Sequence, residues 1–217
     1  MKTRVMACAI GALLAASAHA QVWIEAGDAG DMPGGSQAAV GVGPLTNIQG
    51  SVSGLTDADM FRIRIANPAA FSATTNIAPG TMTDTTLYLF NLDGTGIAKN
   101  DDVSAANYLS DMPAGHATYS GLVPGEYLLA IGGFAFAPFF VMPPATTADL
   151  IFDINTYTGV LGPQAAAVGM PILGWVDAGA YSSGTYNITL TGAELVPAPA
   201  SLGLLGLGAL VATRRRR

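Results

Sequence analysis

Residues 60–65 read Met60-Phe61-Arg62-Ile63-Arg64-Ile65, and their alternation decides the fold class. Successive side chains of a strand point to opposite faces, so Phe61, Ile63 and Ile65 should meet a core while both arginines face out. The same kind of signal recurs outward along the chain. Residues 85–90 read as a mostly buried strand. Leu92-Asp93-Gly94-Thr95-Gly96 reads as a turn, because Asp-Gly tolerates positive φ, and residues 96–99 return as the next strand. Residues 117–122 read as another, and Pro124-Gly125 makes a tight turn into residues 127–131. The last strand, 184–190, puts Tyr186, Ile188 and Leu190 on one side. Shorter candidates are 47–52 and 71–75. No stretch of the body carries a convincing helical period. Many short strands with closely spaced turn residues predict an all-β fold, an antiparallel β-sandwich.

Residues 134–183 do not fit that rhythm. They hold Phe139, Phe140, Phe152, Tyr157, Trp175 and Tyr181 among many Pro and Gly. A structureless loop of this length is unusual in a compact domain. The expectation is a long, partly packed excursion between the last two core strands, covering one end or edge of the sandwich. Its aromatics are expected to pack rather than to recognise a ligand.

Charge is distributed unevenly over the 217 residues. All fifteen acidic residues lie in the body, 21–195, but of the nine Lys and Arg only Arg62, Arg64 and Lys99 do. Three against fifteen leave that body at −12. Nucleic-acid binding rests on neutralising phosphates with cations, so no nucleic-acid partner is expected. Divalent metals should be attracted. The single cysteine, Cys8, precedes the body. Disulfides are therefore unavailable to it, and stability must come from burial and backbone pairing, with bound metal as a candidate further source.

The two ends carry addresses. Lys2 and Arg4 precede an apolar run over 5–16, and Ser17-Ala18-His19-Ala20 offers a small-x-small cleavage site. This is the layout of a secretory signal peptide, 1–20, cut between Ala20 and Gln21, with the Sec export machinery as partner. The alternative is an uncleaved anchor. At the other end, 201–213 is uncharged and rich in Leu, Gly and Ala. As a short hydrophobic helix it would rise roughly 20 Å, against roughly 30 Å for a bilayer core. Arg214, Arg215, Arg216 and Arg217 should stay on the cytoplasmic side. A chain exported from its N-terminus would stall here, with its body outside and a transient membrane contact through this helix. Pro197 and Pro199 would hold an extended segment beside the membrane.

Pro197-Ala198-Pro199-Ala200-Ser201, the Leu/Gly run and the four arginines together resemble a PEP-CTERM sorting tail over 196–217, with Ala198 where that family usually has Glu. The resemblance implies an exosortase-type enzyme that recognises the tail, cleavage near the proline motif, and delivery to the cell surface or into extracellular polymer or biofilm. An unprocessed tail anchor is the alternative.

Carboxylates gather at three places in the body: Glu25-Ala26-Gly27-Asp28-Ala29-Gly30-Asp31, Asp57-Ala58-Asp59 and Asn100-Asp101-Asp102. Gly and Ala between acidic residues free the backbone to curl, and calcium takes six to eight oxygens from such groups. Four segments, "WIEAGDAGDMPGGSQ", "GSVSGLTDADMFRIRI", "LYLFNLDGTGIAKNDD" and "GLVPGEYLLAI", resemble the pre-peptidase C-terminal domain. That resemblance covers roughly residues 23–132. It implies a small jelly-roll-like β-sandwich and, as in some members, calcium held by the acidic lead-in and the Asp-x-Asp turn. Carried over to this chain, the candidate calcium ligands are Glu25, Asp28, Asp57 and Asp59, with Asp31 behind them. The lead-in is Glu-x-x-Asp here, not the Glu-Pro-Asn type of the wider family.

Nothing marks the chain as an enzyme. The body has one histidine, His116, without a nucleophile-elbow motif, and no cysteine. It has no His-Glu-x-x-His, no phosphate-cradling loop and no dinucleotide fingerprint. The expected function is that of a non-enzymatic, exported structural component of the surface or matrix. One alternative is a calcium-supported carbohydrate-binding module whose partner is extracellular polysaccharide. The other is a carboxylate-dependent glycosidase, whose paired carboxyls need not be close in sequence. Buried rings in 134–183 would favour the structural reading, exposed coplanar rings the binding module, and two carboxyls across a cleft the glycosidase.

Overall fold

The computed structural model describes residues 19–78, 80–142, 148–180 and 182–198. The first half of the chain forms β1 (Gln21–Ile24), β2 (Gln37–Ala38), β3 (Leu45–Val52), β4 (Ala58–Ile65), β5 (Ser72–Thr74), β6 (Thr85–Phe90) and β7 (Gly96–Asn100). The second half adds β8 (Asp111–Met112), β9 (Gly125–Gly133), β10 (Phe136–Val141), β11 (Ala148–Leu150), β12 (Gly174–Asp177), β13 (Gly184–Thr191) and β14 (Ala193–Glu194). Helical structure among the described residues is limited to short 3-10 turns.

The protein is all-β, and its strands form three sheets. One runs β1-β3-β13-β5-β8, the second β14-β4-β9-β6-β7 with β2 alongside β4, and the third β11-β10-β12. The first two face each other. Phe61, Ile63 and Ile65 of β4 are fully buried between them, with Ile48 of β3 and Tyr186, Ile188 and Leu190 of β13 on the opposite side. Arg62 and Arg64 point outward and pair at 3.6 and 3.4 Å with Glu126 and Glu194. Exposed pairs of this kind contribute little; the buried apolar face is what holds the strand.

Three expectations change. The sheets are mixed rather than purely antiparallel, because β1 runs parallel to β3 and β2 parallel to β4. Parallel neighbours need a crossover of a dozen or more residues, and the chain between β1 and β3 supplies it. On the way it crosses to the second sheet, where β2 pairs, and returns to the first.

Residues 117–122 do not form a strand. Ala117–Tyr119 is a 3-10 turn whose N-cap, His116, accepts the Thr118 N–H on Nδ1 at 3.2 Å. A local side-chain cap competes successfully with strand pairing here.

The segment 134–183 is not a cover over one end or edge. It supplies the third sheet, with β10 paired to both β11 and β12, and lies against the outer face of the second sheet. Phe140, Ile151, Phe152 and Ile172 pack there on Met60, Tyr88, Phe90 and Leu128. The second sheet is thus a central layer. That is why β6 is buried along its whole length: strands covered on both faces lose the apolar–polar alternation. Rings lock the two layers together, with Tyr88 meeting Phe152 at 5.7 Å and Trp175 edge-on at 5.2 Å.

The turn at Asn91-Leu92-Asp93-Gly94 forms as expected, with Gly94 at φ +85°. Asp93 Oδ1 accepts the Thr95 N–H and hydroxyl at 3.0 and 2.8 Å. Those bonds hold its carboxyl below the usual range, so this fragment closes a hairpin rather than offering free ligands.

At the termini, Gln21 opens β1 directly after the exposed Ala20, and Val196 pairs with Val40 just before the exposed Pro197 and half-buried Ala198. The expected signal residues 1–18, Pro199, the hydrophobic run 201–213 and Arg214, Arg215, Arg216 and Arg217 lie outside the described residues. Among the described residues no helix is long and apolar enough to cross a membrane.

Candidate metal centre

The alternation of β4 that sends Phe61 into the core sends Asp59 the same way, two residues earlier. Its side chain is fully buried at the end of the sandwich, and neither carboxylate oxygen accepts a hydrogen bond. Tyr186 of β13 faces it from the opposite sheet, with its hydroxyl equally unpartnered. The hydroxyl is a near neighbour of the carboxylate without reaching hydrogen-bond geometry. Burial pushes the Asp59 carboxyl up to about 8; the nearby Tyr186 hydroxyl opposes the rise, and the charges of Glu25 and Asp57 add to it. Burial and the Asp59 charge push the Tyr186 phenol up as well.

Glu25 and Asp28 complete this pocket. One carboxylate oxygen from each of Glu25, Asp28 and Asp59 lies within 4.8 Å of the others. Oxygens bound to one calcium at 2.3–2.6 Å lie at most about 5 Å apart, so the three can share an ion. The lead-in after β1 curls back on itself. Gly27 adopts φ +76°, which lets the chain curl back. Ala29 N–H donates to Glu25 Oε1, and Ser51 N–H of β3 donates to Oε2, both at 2.8 Å. Gln37 clamps the same loop through the Ala26 N–H and C=O at 2.9 and 3.0 Å. Such bonds orient a ligating carboxylate. Gly50 of β3 leaves the room: a Cβ there would collide with Glu25 Oε2 and Tyr186 Oη. The pocket grades from the buried Asp59 through the half-buried Glu25 to the exposed Asp28, leaving an outer side where water can complete the six to eight oxygens calcium takes.

Two of the expected ligands stand apart from this group. Asp57 Oδ2 accepts the N–H and hydroxyl of Ser53 at 2.5 and 2.8 Å, which closes its own turn, and it acts on the site through its charge. Asp31 contributes its backbone: its C=O accepts the Trp175 indole N–H at 2.7 Å and ties the lead-in to β12. Tyr186 and Gly50 were not among the expected site residues. Strand alternation placed Tyr186 inward, but its meeting with Asp59, 127 residues away in sequence, depends on how the two sheets stack.

A second acidic group lies on the outer face of the same sheet. Asp84, Asp101 and Asp102, all buried, bring carboxylate oxygens within 4.8 Å of one another. Asp101 is tied to Lys99 Nζ at 3.3 Å and to the Thr86 hydroxyl at 2.6 Å. The Asp101–Lys99 pair is buried, with both side chains 2 % exposed.

Compared with models of known protein families, with curated proteins and with solved structures, the chain matches none.

Proposed function

We propose that the chain is an exported, non-enzymatic β-sandwich protein, delivered by its C-terminal tail to the cell surface or extracellular matrix as a structural component, with calcium bound at Glu25, Asp28 and Asp59. The observation that carries this reading is the fate of the rings in 134–183. Phe140 and Phe152 are 1 % exposed and Phe136 is 4 % exposed. Trp175 stacks on Phe136 at 5.5 Å and gives its indole N–H to Asp31. Side chains used in this way hold a third layer onto a sandwich and leave little for a ligand. His116 adds to the case against catalysis, since its Nδ1 caps a turn.

A carbohydrate-binding module is the second reading, supported by Tyr108 and Tyr157, exposed around a cleft that Phe134, Asp84 and Asp102 also line. The Phe134 and Tyr157 rings are tilted by 53°, which is not the flat platform on which a sugar ring stacks. The cleft holds about 180 Å³, below the roughly 300 Å³ at which ligand pockets begin. The same volume weighs against a glycosidase using Asp84 and Asp102.

The test has two arms. Deleting 196–217 should change where the expressed protein ends up; an unchanged destination would remove the sorting role. Glycan-array binding with and without a chelator should show no chelator-sensitive ligand, and a specific glycan would replace the structural reading with the binding module.

A further inference from the structure

We propose that Asp84, Asp101 and Asp102 form a second divalent-cation site, between the central sheet and the layer formed by 134–183. The strand register builds it. Leu87 pairs with both Ile131 and Asn100, so the start of β6 and the residues after β7 reach the same end of the sheet. Thr86 and Asp101 then share the outer face, and Asp84 comes alongside from the residues before β6.

The observation that points to a ligand is Asp102. It is 7 % exposed, it lines the cleft, and its carboxylate accepts no hydrogen bond and makes no ion pair among the described residues. Its backbone is fully engaged: the N–H donates to the Tyr157 C=O at 3.0 Å and the C=O accepts from Asn100 at 3.4 Å. The little surface it keeps opens on the cleft, so an ion entering there reaches the carboxylate. Charge balance names the class of partner. Three carboxyl groups gather round the single Lys99 ammonium, so the complementary partner is a further cation. Oxygen-only ligands favour calcium, magnesium or manganese over softer metals, and the 4.8 Å limit on oxygen separations fits calcium as it does in the first pocket. This site is independent of Glu25, Asp28 and Asp59, and either can exist without the other.

The experiment is calorimetric titration of calcium into the full chain, stripped beforehand with EDTA. Wild type should take up two equivalents. Glu25→Gln/Asp59→Asn should keep one, and Asp102→Asn should lose that one while keeping the other. Loss of all binding in Glu25→Gln/Asp59→Asn overturns the second site and leaves the first intact. A single equivalent that disappears with Asp102→Asn supports this site and removes the first. A second variant guards against misfolding. In the Glu25→Gln/Asp59→Asn background, Tyr108→Phe/Tyr157→Phe removes both phenols that line the cleft but leaves the Tyr157 backbone C=O bonded to the Asp102 N–H. Terbium emission sensitised by tyrosine should fall at least twofold with the calcium stoichiometry unchanged. Unaltered emission would place the bound ion elsewhere and overturn the proposal.

Discussion

Asp59 and Tyr186 meet inside the sandwich from opposite sheets, both buried, and neither the carboxylate nor the phenol hydroxyl has a hydrogen-bond partner. Buried polar groups are almost always satisfied, so this pair marks a place where the fold carries a cost. Its position beside Glu25 and Asp28 is what supports the proposal that a cation binds there.

The raised Asp59 carboxyl makes the metal-free protein sensitive to pH. The folded state holds this proton up to about pH 8, whereas the unfolded chain releases it near 3.8. Stability should therefore be greatest below the unfolded value and fall as pH rises through the window between them. Asp59 alone contributes a slope of up to about 1.4 kcal/mol per pH unit, and Asp101 and Asp102, also raised by burial, add to it with the same sign. Asp59→Asn should flatten that slope and, in EDTA, be more stable than wild type at pH 8. Urea denaturation across the window checks both signs, and a wild-type curve that rises with pH would refute the assignment.

Gly50→Ala should damage the pocket while leaving the strand. Its methyl group would displace the Glu25 carboxylate and the Tyr186 hydroxyl, an overpacking cost of about 1–3 kcal/mol. Calcium affinity should drop at least tenfold. Affinity equal to wild type would show that Glu25 is not a ligand.

Phe152→Ala tests whether the third layer belongs to the fold. Phe152 is 1 % exposed and touches Tyr88 and Phe90, so the loss should be about 3–5 kcal/mol, as for Phe61→Ala in the main core. Both variants should unfold in one transition. A separate early transition for Phe152→Ala alone would show a detachable layer.

Lys99→Met in EDTA should destabilise by about 3–5 kcal/mol, because it strands the buried Asp101. Lys99→Met/Asp101→Asn should recover most of the loss. A double variant no better than the single one would mean that Lys99 acts through packing alone.

The legible parts of the fold were those where one face of a strand is apolar and the other polar. Residues 60–65 and 184–190 gave their inward faces correctly, and the Asp-Gly hairpin followed from its turn residues. Residues 136–141, Phe-Ala-Pro-Phe-Phe-Val, form an apolar run with a proline and show no period, because side chains on both faces of this strand are at least partly covered. The 117–122 strand failed because a single capping histidine outweighs a short alternation. The parallel pairings of β1 and β2 depend on a crossover that no local pattern announces. At the site, Glu25, Asp28 and Asp59 were named from the sequence, but the separation of Asp57 from them depends on Ser53 four residues earlier. Nothing in the sequence marks Lys99 as buried; residues of the segment 134–183, Asp153 and Leu161, meet it.

Central to the proposed function is a cation that completes the Asp59 pocket. The direct measurement is thermal melting of the Asp102→Asn chain at pH 7.5, in EDTA and in calcium at about a hundredfold excess over its dissociation constant, so that only the first pocket responds. That excess corresponds to about 2.7 kcal/mol, or a rise in Tm of about 5–10 °C for a domain of this size, and adding Asp59→Asn should abolish it. A melting temperature that ignores calcium, or a rise that survives Asp59→Asn, would contradict the claim.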